Sequence, residues 1–230
     1  MKPHQENVIV RSGIKFVHSF DLWGTMVIQE VMGPRVLDAY AALMAEADQD
    51  KVQQNIANYQ AILRGDKAAL ANKKQFVDAV EDPLWKAFLK GEIDVPFNGA
   101  FYEDAIAVAS DIVDAGEDIC ILTTGDSPWV PRALASISDK LGNKTVYSGD
   151  KSKPQAYEAA AMHLAGKGAC MLSHTEDQLK GLAGILASDL KKSIKLVYVE
   201  RANLATPDQV QATGIDYFVR DLREVPYTRL

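Results

Sequence analysis

His18-Ser19-Phe20-Asp21-Leu22-Trp23-Gly24-Thr25 closes the first apolar run of the chain, and the rest is read outward from it. The run Ile14 to Leu22 is nearly continuous in apolar residues, as a strand buried on both faces is. A carboxylate at the tip of such a strand, followed by Gly-Thr, is a costly place for a charge without a task. Taken alone, an Asp after a strand is more often a turn or cap residue. The weight therefore falls on what the other strands carry at the same end.

Further strands are expected over Asp118 to Thr124, Lys144 to Ser148, Ala169 to Ser173, Lys195 to Glu200 and Asp216 to Val219. Helical patterns separate them. Ala105, Val108, Ala109 and Ile112 recur at i, i+3, i+4, i+7, with Gly116 placed as a C′ glycine. Ser127-Pro128 and Thr206-Pro207 read as N-cap followed by Pro at N1. Strand alternating with helix predicts an α/β fold, a doubly wound, Rossmann-like parallel sheet. One interval breaks the alternation. Val36, Leu37, Tyr40, Leu43 and Met44 keep helical spacing, as do Ile56, Tyr59, Ile62 and Leu63, then Phe76, Val77 and Val80. An inserted all-helical cap is therefore expected over 30–95, with the discontinuous core at 1–29 and 96–230. An insert there sits at the carboxyl end of the first strand, where open α/β sheets bind ligands.

Three more strand ends carry chemistry. Thr123-Thr124-Gly125 can present a hydroxyl and backbone N–H groups to an anion; an ordinary strand-to-helix turn is the bland reading. Lys151-Ser152-Lys153-Pro154-Gln155-Ala156-Tyr157 opens a helix, and a lysine there could neutralise a carboxylate, although a solvated loop is the commoner fate of lysine. Ser173-His174-Thr175-Glu176-Asp177 clusters polar groups, each more often structural when found singly. In a doubly wound sheet the carboxyl ends of neighbouring strands converge, so the four clusters form one candidate site.

Composition frames this site. Of 230 residues, 25 are Lys or Arg and 31 Asp or Glu, a net −6, with 47% apolar and 24% charged residues. These are globular values, and the acidic balance argues against nucleic acid or an anionic membrane as partner. No apolar run suits a bilayer, and the N-terminus carries no signal-peptide pattern. Cys120 and Cys170 lie in apolar runs and read as buried reduced thiols. A cytoplasmic protein is expected.

In these four clusters the chain resembles the haloacid dehalogenase superfamily. Asp21-Leu22-Trp23-Gly24-Thr25 is similar to its first motif, Thr123 to the second, Lys151 or Lys153 to the third and Ser173 to Asp177 to the fourth. The helical insert falls where that family carries a C1 cap. Phosphatases of the family place a second Asp two residues after the nucleophile as general acid; Trp23 stands there instead and cannot donate a carboxylic proton. A halide needs none. Ser173-His174-Thr175-Glu176-Asp177 likewise resembles the Ala/Ser-His-x-x-Asp segment of type II 2-haloacid dehalogenases, as Leu196 to Arg201 resembles the strand and arginine that follow it.

That resemblance implies a hydrolase without a metal cofactor, acting on a small carboxylate such as a 2-haloacid. Asp21 would form an ester by SN2 displacement, and water would hydrolyse it. Asp177 would position that water with His174, Thr25 and Ser173 would hold the Asp21 carboxylate, Thr123 would bind the substrate carboxylate, and Lys151 would keep Asp21 ionised. Leu22, Trp23, Thr124, Gly125, Arg64, Tyr157 and Lys153 would face the substrate. Lys151 keeps the family's spacing to Tyr157, whereas Lys153 keeps its Lys-Pro dipeptide; spacing favours Lys151. Arg64 and Arg35 are the candidate cap arginines. Glu176 stands where that branch often has an aromatic residue, which implies a more polar pocket. The branch is often dimeric, so a homodimer is expected. Two alternatives stand: a Mg²⁺-dependent phosphatase with Asp21, the Trp23 carbonyl and Asp177 as metal site, and a non-catalytic binding protein of the same fold.

Overall fold

The computed structural model describes residues 13–43, 95–124, 129–201 and 205–230, with single positions 50, 54, 57 and 61. In chain order the described elements are β1 (Lys15–Phe20), α1 (Gln29–Leu43), α2 (Glu103–Asp114), β2 (Asp118–Thr123), α3 (Val130–Ile137), α4 (Asp139–Gly142), β3 (Thr145–Ser148), α5 (Pro154–Gly166), β4 (Ala169–Glu176), α6 (Leu179–Leu186), β5 (Lys195–Val199), α7 (Pro207–Ala212) and β6 (Tyr217–Val219). Short 3-10 turns occupy Asp189–Lys192, Leu222–Glu224 and Tyr227–Arg229. The strands form one parallel sheet in the order β3-β2-β1-β4-β5-β6. This is the doubly wound arrangement, and the expected α/β fold is present.

Helices cover both faces, so the strands are apolar on both sides. Phe20, Ile121, Val197 and Val199 pack with α2, α3 and Tyr227. Val17, Leu122, Met171 and Leu196 pack with Tyr157, Ala160 and Leu164 of α5, Leu182 and Ile185 of α6 and Val210 of α7. Local signals set several ends. Gly116 follows α2 with φ +87°, the left-handed C′ conformation expected of it. Thr206 and Gln209 form a reciprocal capping box at α7. Ser127-Pro128 lies outside the described residues, and α3 begins after Trp129. Cys120 is buried, but Cys170 is exposed at the start of β4, contrary to its expected burial.

Two features place the site. The first is the insertion geometry. Val27 pairs antiparallel with Phe101, Ile28 N–H donates to the Ala100 carbonyl at 2.8 Å, and Tyr102 N–H to that of Met26 at 2.9 Å. The chain thus leaves the core after β1 and returns beside the same point. α1 opens the interval, and positions 50, 54, 57 and 61 are helical; the other residues of the expected cap lie outside the described residues. The second is the length of β4, which continues three residues beyond the expected Ser173. The pairs His174↔Leu196, Thr175↔Val197 and Glu176↔Tyr198 carry it on, although three successive polar side chains interrupt the apolar run.

That extension puts Ser173 in mid-strand opposite His18. Burial lowers the His18 pKa, although Glu117 pulls it upward, so the imidazole is neutral near pH 7. Its Nε2–H donates to Glu117 Oε2 at 2.6 Å, and Nδ1 accepts from Ser173 Oγ at 2.8 Å. Ser173→Ala removes the donor and leaves Nδ1 buried and unsatisfied. The unfolding free energy should fall by about 1–3 kcal/mol in urea titrations, with the Asp21 carboxylate environment unchanged.

Candidate functional site

Alternation along a strand explains how the site is assembled. Ser19 and Asp21 of one strand, and His174 and Glu176 of its neighbour, direct their side chains to the same side of the sheet. Asp21 N–H donates to the Thr175 carbonyl at 2.8 Å, which locks the carboxyl ends of β1 and β4 together. These adjacent ends are the switch point of the strand order, the position where open α/β sheets hold ligands.

Lys151, from the loop between β3 and α5, reaches into this point. Its Nζ donates to Asp21 Oδ1 and, at 2.5 Å, to Glu176 Oε2. All three residues are at most 5% exposed. α6 approaches the Lys151 loop closely through Gly184, whose N–H donates to the Lys151 carbonyl at 3.0 Å; a Cβ there would overlap that carbonyl. Asp177 completes the group from the turn after β4. Thr25 Oγ1 lies 3.4 Å from Asp21 Oδ2 and 3.3 Å from Asp177 Oδ1, within donating distance of both. Gly24, with φ +80°, carries the chain past Asp177 where any side chain would collide with its carboxylate.

The electrostatics follow from one cation among three carboxylates. Burial and the neighbouring Glu176 raise the Asp21 pKa well above the carboxylate range, and Lys151 offsets this only in part. Burial also acts on Glu176, but His174 and Lys151 outweigh it and hold that carboxyl low. The Lys151 ammonium stays charged, because Asp21 and Glu176 outweigh its own burial. Asp177 is pushed up to about 7 by burial and by Glu176. One oxygen each from Asp21, Glu176 and Asp177 lies within 4.8 Å of the others, a buried set of hard donors able to hold a cation.

The cleft above Asp21 has a volume of about 250 Å³, which suits a small substrate. Trp23, Thr123, Thr124, Asp150, Lys180 and Gly181 are among its lining residues. Several expected residues are elsewhere. Lys153 is exposed and faces Asp150 at 3.4 Å, so Lys151 is the site lysine and Lys153 is turned away. Leu22 is fully buried in the apolar core and cannot touch substrate. Ser173 bonds His18 on the opposite face and does not hold Asp21. Tyr157 and His174 are fully buried beneath the site rather than beside a substrate. The Tyr157 hydroxyl donates to the Gly181 carbonyl at 2.5 Å and lies 3.2 Å from His174 Nε2, while His174 Nδ1 meets Ser19 Oγ at 3.1 Å. Arg35 clamps the Pro96 and Asn98 carbonyls at 2.7 and 2.9 Å, away from the cleft. Arg64 and Gly125 lie outside the described residues.

Glu176 was expected only as a source of polarity. Its role as the second partner of Lys151 was signalled by its place directly before Asp177 at the end of a buried strand, where a lone carboxylate would be untenable. Arg201 also contributes from outside the cleft. It donates to Asp104 at 2.9 Å and to the Thr25 carbonyl at 3.4 Å, with its guanidinium 4.0 Å over Tyr102.

Fold and site together describe an α/β enzyme core with a buried aspartate at the switch point. A family model for haloacid dehalogenase-like hydrolases matches residues 19–187, and the chain belongs to that family of hydrolases. Among solved structures, it is similar to a haloacid dehalogenase-like hydrolase from Burkholderia xenovorans, at 17% identity and TM-score 0.54 over 94% of this chain and 96% of that one. It is also similar to a HAD hydrolase from Bacillus subtilis bound to magnesium, at 13% identity and TM-score 0.52 over 92% and 96%. No curated protein sequence matches it. Among the described residues, no helix is long and apolar enough to cross a membrane.

Asp177 supplies a pH test of this charge balance. Its folded pKa of about 7 exceeds the ordinary 3.8, so the native state keeps a proton that the unfolded chain has lost. Stability therefore declines as pH rises from about 4 to about 7. In chelated buffer, Asp177→Asn should raise the unfolding free energy at pH 8 and change it little at pH 4.

Proposed function

We propose that this chain is a divalent-cation-dependent phosphohydrolase with Asp21 as nucleophile. The reading is carried by the cluster of Asp21, Glu176 and Asp177 around a single lysine. Burial, with the like charge of Glu176 and Asp177, raises the Asp21 pKa and so disfavours the ionised form that a nucleophile needs. Three oxygen donors with surplus negative charge suit Mg²⁺, which Asp21 and Asp177 would hold with Glu176 beside them. When bound, that ion would supply positive charge to the carboxylates and to a phosphoryl group.

The chain's own residues would do the rest. Lys151 holds one Asp21 oxygen in place and favours its ionised form. Asp21 attacks phosphorus as the leaving oxygen departs, forming an aspartyl phosphate that water then hydrolyses to restore the carboxylate. Thr123 and Thr124 offer hydroxyls to the anion from the end of β2. Thr25 ties Asp21 to Asp177, and Tyr157 and His174 support Glu176 from below. The inserted segment 30–95, expected from its sequence pattern to be helical, would serve as the cap that encloses a small substrate.

A second reading, metal-free dehalogenation of a small 2-haloacid, is favoured by Trp23, since a halide departs without a proton. Product analysis separates the two. Phosphate release from a panel of small phosphate esters and anhydrides should depend on Mg²⁺, stop on chelation, and vanish in a folded Asp21→Asn variant. Halide release from chloroacetate or 2-chloropropionate in chelator, lost in the same variant, would put the second reading in place of the first.

A further inference from the structure

The wall of the cleft beside Asp21 is aromatic. Trp23 lines it and meets Trp129 edge-to-face, with ring centroids 5.5 Å apart. Trp129 in turn stacks on Phe97 at 5.0 Å. The described carboxyls that line the cleft are all committed. Asp21 is the nucleophile. One Glu176 oxygen receives Lys151 at 2.5 Å. Asp150 Oδ1 accepts from the Ser152 hydroxyl at 2.6 Å and from its N–H at 3.1 Å, while Oδ2 faces Lys153. Asp177 is not among the residues that line the cleft and meets Thr25 Oγ1 at 3.3 Å beside Gly24. Among the described residues, therefore, no lining carboxyl is placed to hand a proton to a departing oxygen, and an indole has none to give.

We infer that the site is selective by leaving group: it takes small acyl phosphates and aryl phosphate esters, whose leaving oxygens depart unprotonated past Trp23. The inference rests on the phosphohydrolase reading. In the first step an Asp21 oxygen bonds to phosphorus as the bond from phosphorus to the leaving oxygen breaks. That oxygen leaves with the electron pair as a carboxylate or phenolate and takes no proton from the protein. Water then attacks phosphorus, the bond to Asp21 breaks, the carboxylate is restored, and the water proton passes to solvent with the phosphate. An alkoxide is too basic to leave in this way. A planar aromatic body also gains contact with the Trp23 ring.

The test is a substrate series with the full chain and Mg²⁺: acetyl phosphate, p-nitrophenyl phosphate, phenyl phosphate and glycerol phosphate. Rates should fall steeply with leaving-group basicity, with the alkyl ester slower than the nitrophenyl ester by about 10²–10⁴-fold, the contribution of an absent general acid. Trp23→Asp should raise the alkyl-ester rate relative to the acetyl phosphate rate, flattening the dependence on leaving-group basicity. Binding gives a readout apart from turnover: by calorimetry phenylphosphonate should bind several-fold more tightly than methylphosphonate, and Trp23→Leu should erase the difference. Equal rates across the series overturn the inference and leave the phosphohydrolase reading intact. Equal binding of the two phosphonates overturns the role given to Trp23. No phosphate from any substrate overturns the phosphohydrolase reading and the inference with it.

Discussion

Lys151 stands between two buried carboxylates, Asp21 at the end of β1 and Glu176 at the end of β4. A buried charge is tolerable only when it is paired and hydrogen-bonded. The structure around this point meets that condition. Parallel pairing of β1 and β4 brings the carboxylates to one edge, the loop after β3 delivers the ammonium, and a glycine in α6 lets the loop seat closely. The balance is still incomplete. Asp177 adds a third carboxylate that Lys151 does not neutralise, and burial together with the charge of Glu176 pushes its pKa up. A surplus of this kind fits a site that draws in positive charge to work.

The opposite face of the same strands shows the other half of the constraint. A sheet covered on both sides has no water to satisfy a misplaced polar group. His18, Glu117 and Ser173 satisfy one another there, with Tyr227 edge-on to the imidazole and bonded to Thr175 at 2.8 Å. Asp104 accepts from Arg201 and, at 2.8 Å, from the Leu222 N–H. These pairs hold β1 and the loop after it from behind, so that the backbone of Asp21 is fixed without residues of the cleft itself.

Much of the fold was legible because buried parallel strands are apolar runs and the helices between them keep a regular period. All six strands fall where those runs are. The one large error in length is in β4, where Ser173, His174, Thr175 and Glu176 look like a strand end. They are strand residues whose polar groups find partners on other elements, and apolarity alone cannot report that. Ser173, assigned to the Asp21 carboxylate by the resemblance, sits instead in mid-strand opposite His18 and takes the other face. Lys151 was found by its spacing to Tyr157, although Tyr157 proved to be buried behind the site.

The sequence by itself determined the class of fold and the aspartate, threonine, lysine and second aspartate that gather at the sheet's carboxyl edge. These are properties of local pattern and of strand ends, which a chain carries wherever it folds. The tertiary structure alone decided which lysine enters, that Glu176 is its second partner, and that Ser173, His174, Tyr157 and Leu22 lie behind or beneath the cleft. The physical reason is that pairing among buried charges depends on strand register and on which face each side chain takes. A one-residue difference in either moves a group from the cleft to the core.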